Sequence, residues 1–171
     1  MPAPADATAS LIAALTGRGL TIAVAESLTG GLLVAELIRI PGASAVVRGG
    51  VVAYDTSIKR TVLGVDAALL AEHGPVHPEV ARQMATGVRS VLAVDGRPAD
   101  IGVATTGVAG PNDQDGQPVG TVYLGVAFGD RVRSVALRLT GERSEIRAQT
   151  VEHAIEAVSQ LIETGMRPIA E

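Results

Sequence analysis

A serine on a strand-to-helix turn and the chain's one lysine have the most chemistry to offer. The serine lies in Ala25-Glu26-Ser27-Leu28-Thr29-Gly30-Gly31. A short β-branched run, Thr21-Ile22-Ala23-Val24, precedes it, and an apolar stretch long enough for a helix follows at residues 32–39. Such a turn directs backbone N–H groups and the positive end of a helix dipole away from the sheet. The N–H groups around Thr29, Gly30 and Gly31 could therefore receive an anion or a developing oxyanion, with Ser27 beside them as an acyl-transfer nucleophile. The same residues also fit a plainer role, in which Ser27 or Thr29 caps the following helix.

Of the 14 basic residues, 13 are Arg and one is Lys59. A buried amine can give up its proton, whereas a guanidinium cannot, so Lys59 is a candidate base. One leftover lysine could equally be chance. Tyr54 precedes it by five residues, at the expected end of a strand. It is either a second polar group for the same cleft or an amphipathic residue with its hydroxyl in water. The chain has no Cys, which excludes disulfides, thiol catalysis and thiolate metal sites. His73 and His77 are four apart, but Gly74-Pro75 and Pro78 break any common helical face. They read as loop histidines in water, and no metal is expected. Asp113-Gln114-Asp115-Gly116 lacks the remaining positions of a calcium loop and reads as a solvated turn.

The elements that must position these groups follow from periodicity. A first helix is expected over residues 5–19, with Leu11, Ile12 and Leu15 as its stripe. The strand at Thr21, the Ser27 turn and a helix to Ile40 come next, stopped by Pro41-Gly42. Residues 46–54 read as a strand, bent or bulged at Gly49-Gly50. Asp55-Thr56-Ser57 caps a short helix over 58–63 that carries Lys59, and another short helix spans 66–72. A longer helix spans 78–93 with Val80, Met84, Val88 and Val91 as its core stripe. Residues 101–107 form a second apolar strand, ending in Thr105, Thr106 and Gly107. Residues 119–128 and 132–139 form a hairpin about Gly129-Asp130-Arg131. The last helix follows Ser144, its expected N-cap, with Arg143 on the preceding loop facing a cleft or simply on the surface. Val151, Ile155, Val158 and Ile162 are its stripe.

This pattern predicts an α/β fold: one three-layer α/β/α domain over residues 1–171, its sheet mixed because of the hairpin, with the ends at about 1–5 and 165–171 frayed. A hydrophobic fraction of 47% supports a core, which must be aliphatic because aromatics are only 2%. The net charge is −4 and there is no basic run, so no nucleic-acid partner is expected. No apolar stretch reaches membrane-spanning length, and residues 1–10 lack the pattern of a signal peptide. A cytoplasmic protein without a membrane partner is the expectation.

Four ordered blocks together carry a resemblance. They are residues 25–31; the segment from Val51 through Tyr54 and Lys59 to Leu63-Gly64-Val65; residues 104–111 leading to 118–122; and Gly141-Glu142-Arg143-Ser144-Glu145-Ile146-Arg147. With these the chain resembles the CinA C-terminal-domain family, the nicotinamide-nucleotide amidases, over about residues 11–161. The resemblance implies hydrolysis of the carboxamide of nicotinamide mononucleotide to nicotinic acid mononucleotide and ammonia. It implies Ser27 as nucleophile and Lys59 as base, with Tyr54, Thr105 and Thr106 lining the same site and Arg143 as a basic substrate-binding position; Tyr54 also counts as a catalytic candidate, able to relay the proton from Lys59 to the leaving amine. No metal or organic cofactor is implied, the partner is a small nucleotide, and there is room for a homo-oligomer. The chain departs from the family pattern at Leu28, where Cys is common, at Asp55-Thr56, where Ser-Asn is common, and in a more acidic 112–117 loop. The larger nucleotide-processing domain that many members carry is not expected here. A non-catalytic nucleotide-binding or protein-interaction module, or an amidase for another nucleotide, fits the same residues.

Overall fold

The protein's structure is a computed structural model that describes residues 6–164. The expected fraying at 1–5 and 165–171, and the first residue of the expected first helix, lie outside the described residues.

The helices are α1 (Ala7–Arg18), α2 (Leu32–Ile38), α3 (Thr56–Thr61), α4 (Ala67–His73), α5 (Pro78–Val91) and α6 (Arg143–Thr164). The strands are β1 (Ile22–Glu26), β2 (Val47–Val52), β3 (Ile101–Gly107), β4 (Thr121–Phe128) and β5 (Arg131–Arg138). They form one sheet in the order β2-β1-β3-β4-β5. β1 pairs in parallel with β2 and β3, while β4 runs antiparallel to β3 and β5. The expected hairpin thus makes the sheet mixed. The register of β1 against β2 jumps from Ile22–Val47 to Ala23–Gly49, so the extra residue is Arg48, immediately before the glycines where the irregularity was expected.

Alternation along the strands divides the core in two. Ile22, Val24, Ile101, Val103, Val122, Leu124 and Val126 pack with α1, α2 and α6. Ala23, Ala25, Ala104 and Ala127 pack with Val80, Met84, Ala85 and Val88 of α5 and with Leu63 and Val65 beyond α3. The second face is lined by small residues because α5 lies almost on the strands. A Cβ at Gly102 would come within 1.9 Å of the Ala85 carbonyl oxygen, and one at Gly125 within 1.9 Å of the Ala81 oxygen. Val91, expected in the α5 stripe, is 43% exposed. Arg89 already donates to the carbonyls of Ala99 and Gly129, beside the ends of β3 and β4, so the last residue of α5 has passed the sheet edge.

Most other limits differ from expectation by one to three residues, as helix and strand ends commonly do. Two differences affect the site. α6 begins at Arg143, so Arg143 is helical, and Ser144 lies inside the first turn instead of capping it. The Glu145 carboxylate reaches back to accept the Glu142 N–H at 2.7 Å, the side chain of a capping-box arrangement. β1 runs on to Glu26, which leaves Ser27 as the first residue of the turn.

β1, β2, β3 and β5 all point the same way, so Ser27, Lys59, Thr106 and Arg143 follow or end elements at one edge of the sheet. The carboxyl ends of parallel strands are where open α/β sheets receive ligands.

Candidate active site

Ser27 is held at the end of a strand whose five residues are all buried. Its own N–H donates to the Thr105 carbonyl at 3.0 Å, and its carbonyl accepts the Gly30 N–H at 3.1 Å, closing a tight turn. Gly30 and Gly31 leave the turn at φ of 58° and 102°, a left-handed backbone that favours glycine.

Neither Ser27 nor Thr29 caps α2. Gly31 occupies the N-cap position, and Glu26 takes the capping role from below. The Glu26 carboxylate, with no exposed surface, accepts the N–H groups of Gly31 and Leu33 at 3.0 Å and of Val34 at 2.9 Å. A carboxylate offers about four lone-pair sites, enough for three donors, where a hydroxyl offers fewer. The backbone donors expected to face a substrate at Gly30 and Gly31 are therefore already engaged inside the protein. The Thr29 side chain is also turned inward, its hydroxyl 2.8 Å from that of Thr105 and both side chains fully buried.

Lys59 lies on α3, whose N-cap Asp55 accepts the Ser57 N–H as the sequence predicts. Its side chain is 1% exposed, and its Nζ donates to the Ala53 carbonyl at 2.6 Å and to Ser27 Oγ at 3.0 Å. Burial disfavours the ammonium and pushes its pKa down to about 8, with the Asp55 charge opposing weakly. The amine can thus be neutral for a useful fraction of the time near neutral pH. Its hydrogen bond to Ala53 then holds it in place while its lone pair faces Ser27.

Ser27, Lys59, Tyr54, Thr106, Gly107 and Arg143 share the wall of one cavity of about 610 Å³, its open mouth included. Thr29, Gly30, Gly31 and Thr105 are not on its wall and instead support the turn from behind. The Thr106 hydroxyl is engaged by the Pro75 carbonyl at 2.7 Å. Tyr54 is at the rim and 62% exposed, and its hydroxyl accepts from Arg143 Nη2 at 3.2 Å. Arg143 Nη1 donates to the Gly110 carbonyl at 2.6 Å. Tyr54 shares the cavity with Lys59, and the partner of its hydroxyl is Arg143.

Four residues near the site were missed in sequence. Asn112 and Gln114, in the loop read as a solvated turn, line the cavity. Arg147, one helical turn after Arg143, donates from Nε to the Leu28 carbonyl at 2.8 Å and from Nη2 to the Thr29 carbonyl at 3.1 Å. Glu26 left one signal, since an acidic residue ending an otherwise apolar buried run must find partners. The histidines are not free in water. His73 ends α4, His77 accepts the Glu79 N–H as the N-cap of α5, and the two rings stack at 4.6 Å. Among the described residues no group of three or more His, Asp or Glu is arranged to hold a metal ion.

The model of the CinA C-terminal domain matches residues 5–162. A CinA-like protein of Frankia casuarinae is 47% identical over 148 residues, which are 86% of this chain and 33% of that protein. The chain spans about a third of the length of the curated relatives it matches. Among solved structures, a competence-damaged protein (CinA) superfamily protein from Klebsiella pneumoniae superposes with a TM-score of 0.87 at 34% identity, covering 92% of this chain and 96% of that one. The competence/damage inducible protein CihA from Agrobacterium tumefaciens does so with 0.83 at 36% identity, covering 94% and 99%.

Proposed function

The chain belongs to the CinA C-terminal domain family, and from that premise we propose that it is an amidase. Its substrate in this reading is nicotinamide mononucleotide, hydrolysed to nicotinic acid mononucleotide and ammonia. The observation that carries the proposal is the buried pair of Lys59 Nζ and Ser27 Oγ, 3.0 Å apart, opening onto a cavity. A lysine amine depressed toward neutrality against a serine hydroxyl has no structural necessity; two apolar residues would fill the same space more favourably.

In this mechanism neutral Lys59 takes the Ser27 proton as Oγ attacks the carboxamide carbon. The tetrahedral intermediate collapses as the C–N bond breaks. Lys59 returns the proton to the departing nitrogen, and ammonia leaves an ester on Ser27. Water then attacks the ester, again with Lys59 accepting a proton, and Ser27 is restored with the free carboxylic acid released. No metal or organic cofactor enters these steps. In the same reading Arg143, at the rim, takes the substrate phosphate, and Thr106, Gly107 and Tyr54 line the remainder of the site.

Ammonia release tests the proposal. The parent should release it from nicotinamide mononucleotide, and Ser27→Ala should reduce turnover by roughly a thousandfold or more. A folded Ser27→Ala protein turning over within tenfold of the parent would exclude the covalent route. Release only from another amide-bearing nucleotide would keep the chemistry and change the substrate.

A further inference from the structure

The amidase reading needs a donor for the oxyanion, and the start of α2 cannot supply it. Glu26 holds the N–H groups of Gly31, Leu33 and Val34, and Ser27 holds that of Gly30. Two N–H groups of this turn, those of Leu28 and Thr29, have no acceptor among the described residues, and of these two residues only Leu28 lines the cavity, beside Ser27. The Ser27 carbonyl faces inward to Gly30, and across a planar trans peptide the Leu28 N–H must point the opposite way.

The direction of that N–H is held by the Gly30 N–H on the Ser27 carbonyl, and the Gly30 N–H shares a peptide plane with the Thr29 carbonyl. Arg147 holds that carbonyl and the one before it. Its guanidinium reaches across from α6 to the Leu28 and Thr29 carbonyls at 2.8 and 3.1 Å. A planar fork spanning two carbonyls fixes their relative orientation as well as their position. Resting on the assignment of Ser27 as nucleophile, we propose that Arg147 is a positioning residue: it clamps the Ser27 turn so that the Leu28 N–H faces the developing oxyanion. Arg147 touches neither substrate nor reacting atoms. Its influence passes through the backbone.

The test compares nicotinamide mononucleotide with its thiocarboxamide analogue, because a thiolate-like sulfur accepts hydrogen bonds far less well than oxygen. Loss of an aligned oxyanion donor should slow the oxygen substrate more than the sulfur one. Arg147→Ala is expected to lower kcat for the carboxamide by roughly tenfold to a hundredfold, part of what removing such a donor costs. KM should stay within about twofold, and the loss on the thiocarboxamide should be at most about threefold. Arg147→Lys, able to reach only one carbonyl, should fall between parent and Arg147→Ala; where the alanine variant does not fold, the lysine variant decides alone. The acid limb of the pH profile, set by Lys59, should be unmoved in either variant. Equal losses on both substrates, or no loss, would overturn the proposal. Ser27→Ala on the same substrates separates the two levels. If it remains active, the nucleophile assignment itself is wrong. If it is inactive while Arg147→Ala leaves the oxygen-to-sulfur ratio unchanged, only the role of Arg147 is wrong.

Discussion

Lys59 can act as a base only while its amine is neutral. With burial lowering its pKa to about 8, the neutral fraction rises about tenfold per pH unit below that value and levels off above it. Activity is therefore expected to climb along an acid limb ending near pH 8. Lys59→Arg, which keeps the charge but cannot release it, should lose roughly a hundredfold or more in kcat. Rates between pH 6 and 10 for both proteins check this, and an active arginine variant with the parental limb would remove Lys59 from the base role. At Arg143 the expected effect falls on binding. Its two terminal nitrogens hold the Gly110 carbonyl and the Tyr54 hydroxyl, which aims the guanidinium across the cavity mouth. A charge-assisted bond from it to a phosphate would contribute about 1.5–3 kcal/mol. Arg143→Ala should thus lower kcat/KM for the mononucleotide roughly tenfold to a hundredfold, at 1.4 kcal/mol per decade. The unphosphorylated riboside should be a poor substrate that the mutation scarcely worsens. Parallel losses on both substrates would instead tie Arg143 to the reacting end.

Among the elements, α5 and the sheet meet through glycine, and this contact sets a sharp limit on side-chain volume. Gly125→Ala would drive a methyl into the Ala81 carbonyl, backbone against backbone, with no flexible side chain to yield. The expected cost is on the order of 3 kcal/mol, read as a lower thermal midpoint. Gly17→Ala is the matched control. It lies inside α1 with nothing within 4 Å of the added methyl, and the same substitution there should stabilise by about 0.5–1 kcal/mol. If both variants moved the midpoint alike, close approach would not be the reason for glycine at 125. Such contacts also explain what the sequence left unread. The limits of β3, the cap at Asp55 and the irregularity beside Gly49-Gly50 are local matters, set by residues within a few positions of one another, and they were legible. Gly102 and Gly125 look like ordinary strand interruptions until a helix from elsewhere is laid on them. Ser27 and Lys59 each stood out by residue type and their pairing was implied by the resemblance, but the Arg147 clamp joins groups 118 and 119 residues apart. The inward turn of Thr29 likewise depends on Thr105, on a different strand. No local pattern encodes either one.

For the molecule as a whole, burying an ammonium has a consequence for stability. The Lys59 pKa is lowered from 10.5 to about 8 on folding, so between these values the unfolded chain binds more protons than the folded one. Stability must therefore rise with pH across that window, and below about pH 8 the full penalty is present. At about 1.36 kcal/mol per pKa unit the difference is on the order of 3 kcal/mol. Denaturant unfolding at pH 7 and pH 10 should show the parent gaining on Lys59→Met by that order, and equal gains in the two proteins would exclude it. The same residue makes the chain its own reporter. A protease that cuts only after lysine meets one cleavable bond in 171 residues, Lys59–Arg60, and in the native protein that bond belongs to a helix whose lysine is sealed inside. Cleavage then requires this corner of the molecule to open, and when opening and closing are fast the cutting rate follows the open population. A digest resolved into two fragments thus becomes a clock for the breathing of the candidate site, with no label, substrate or engineered probe.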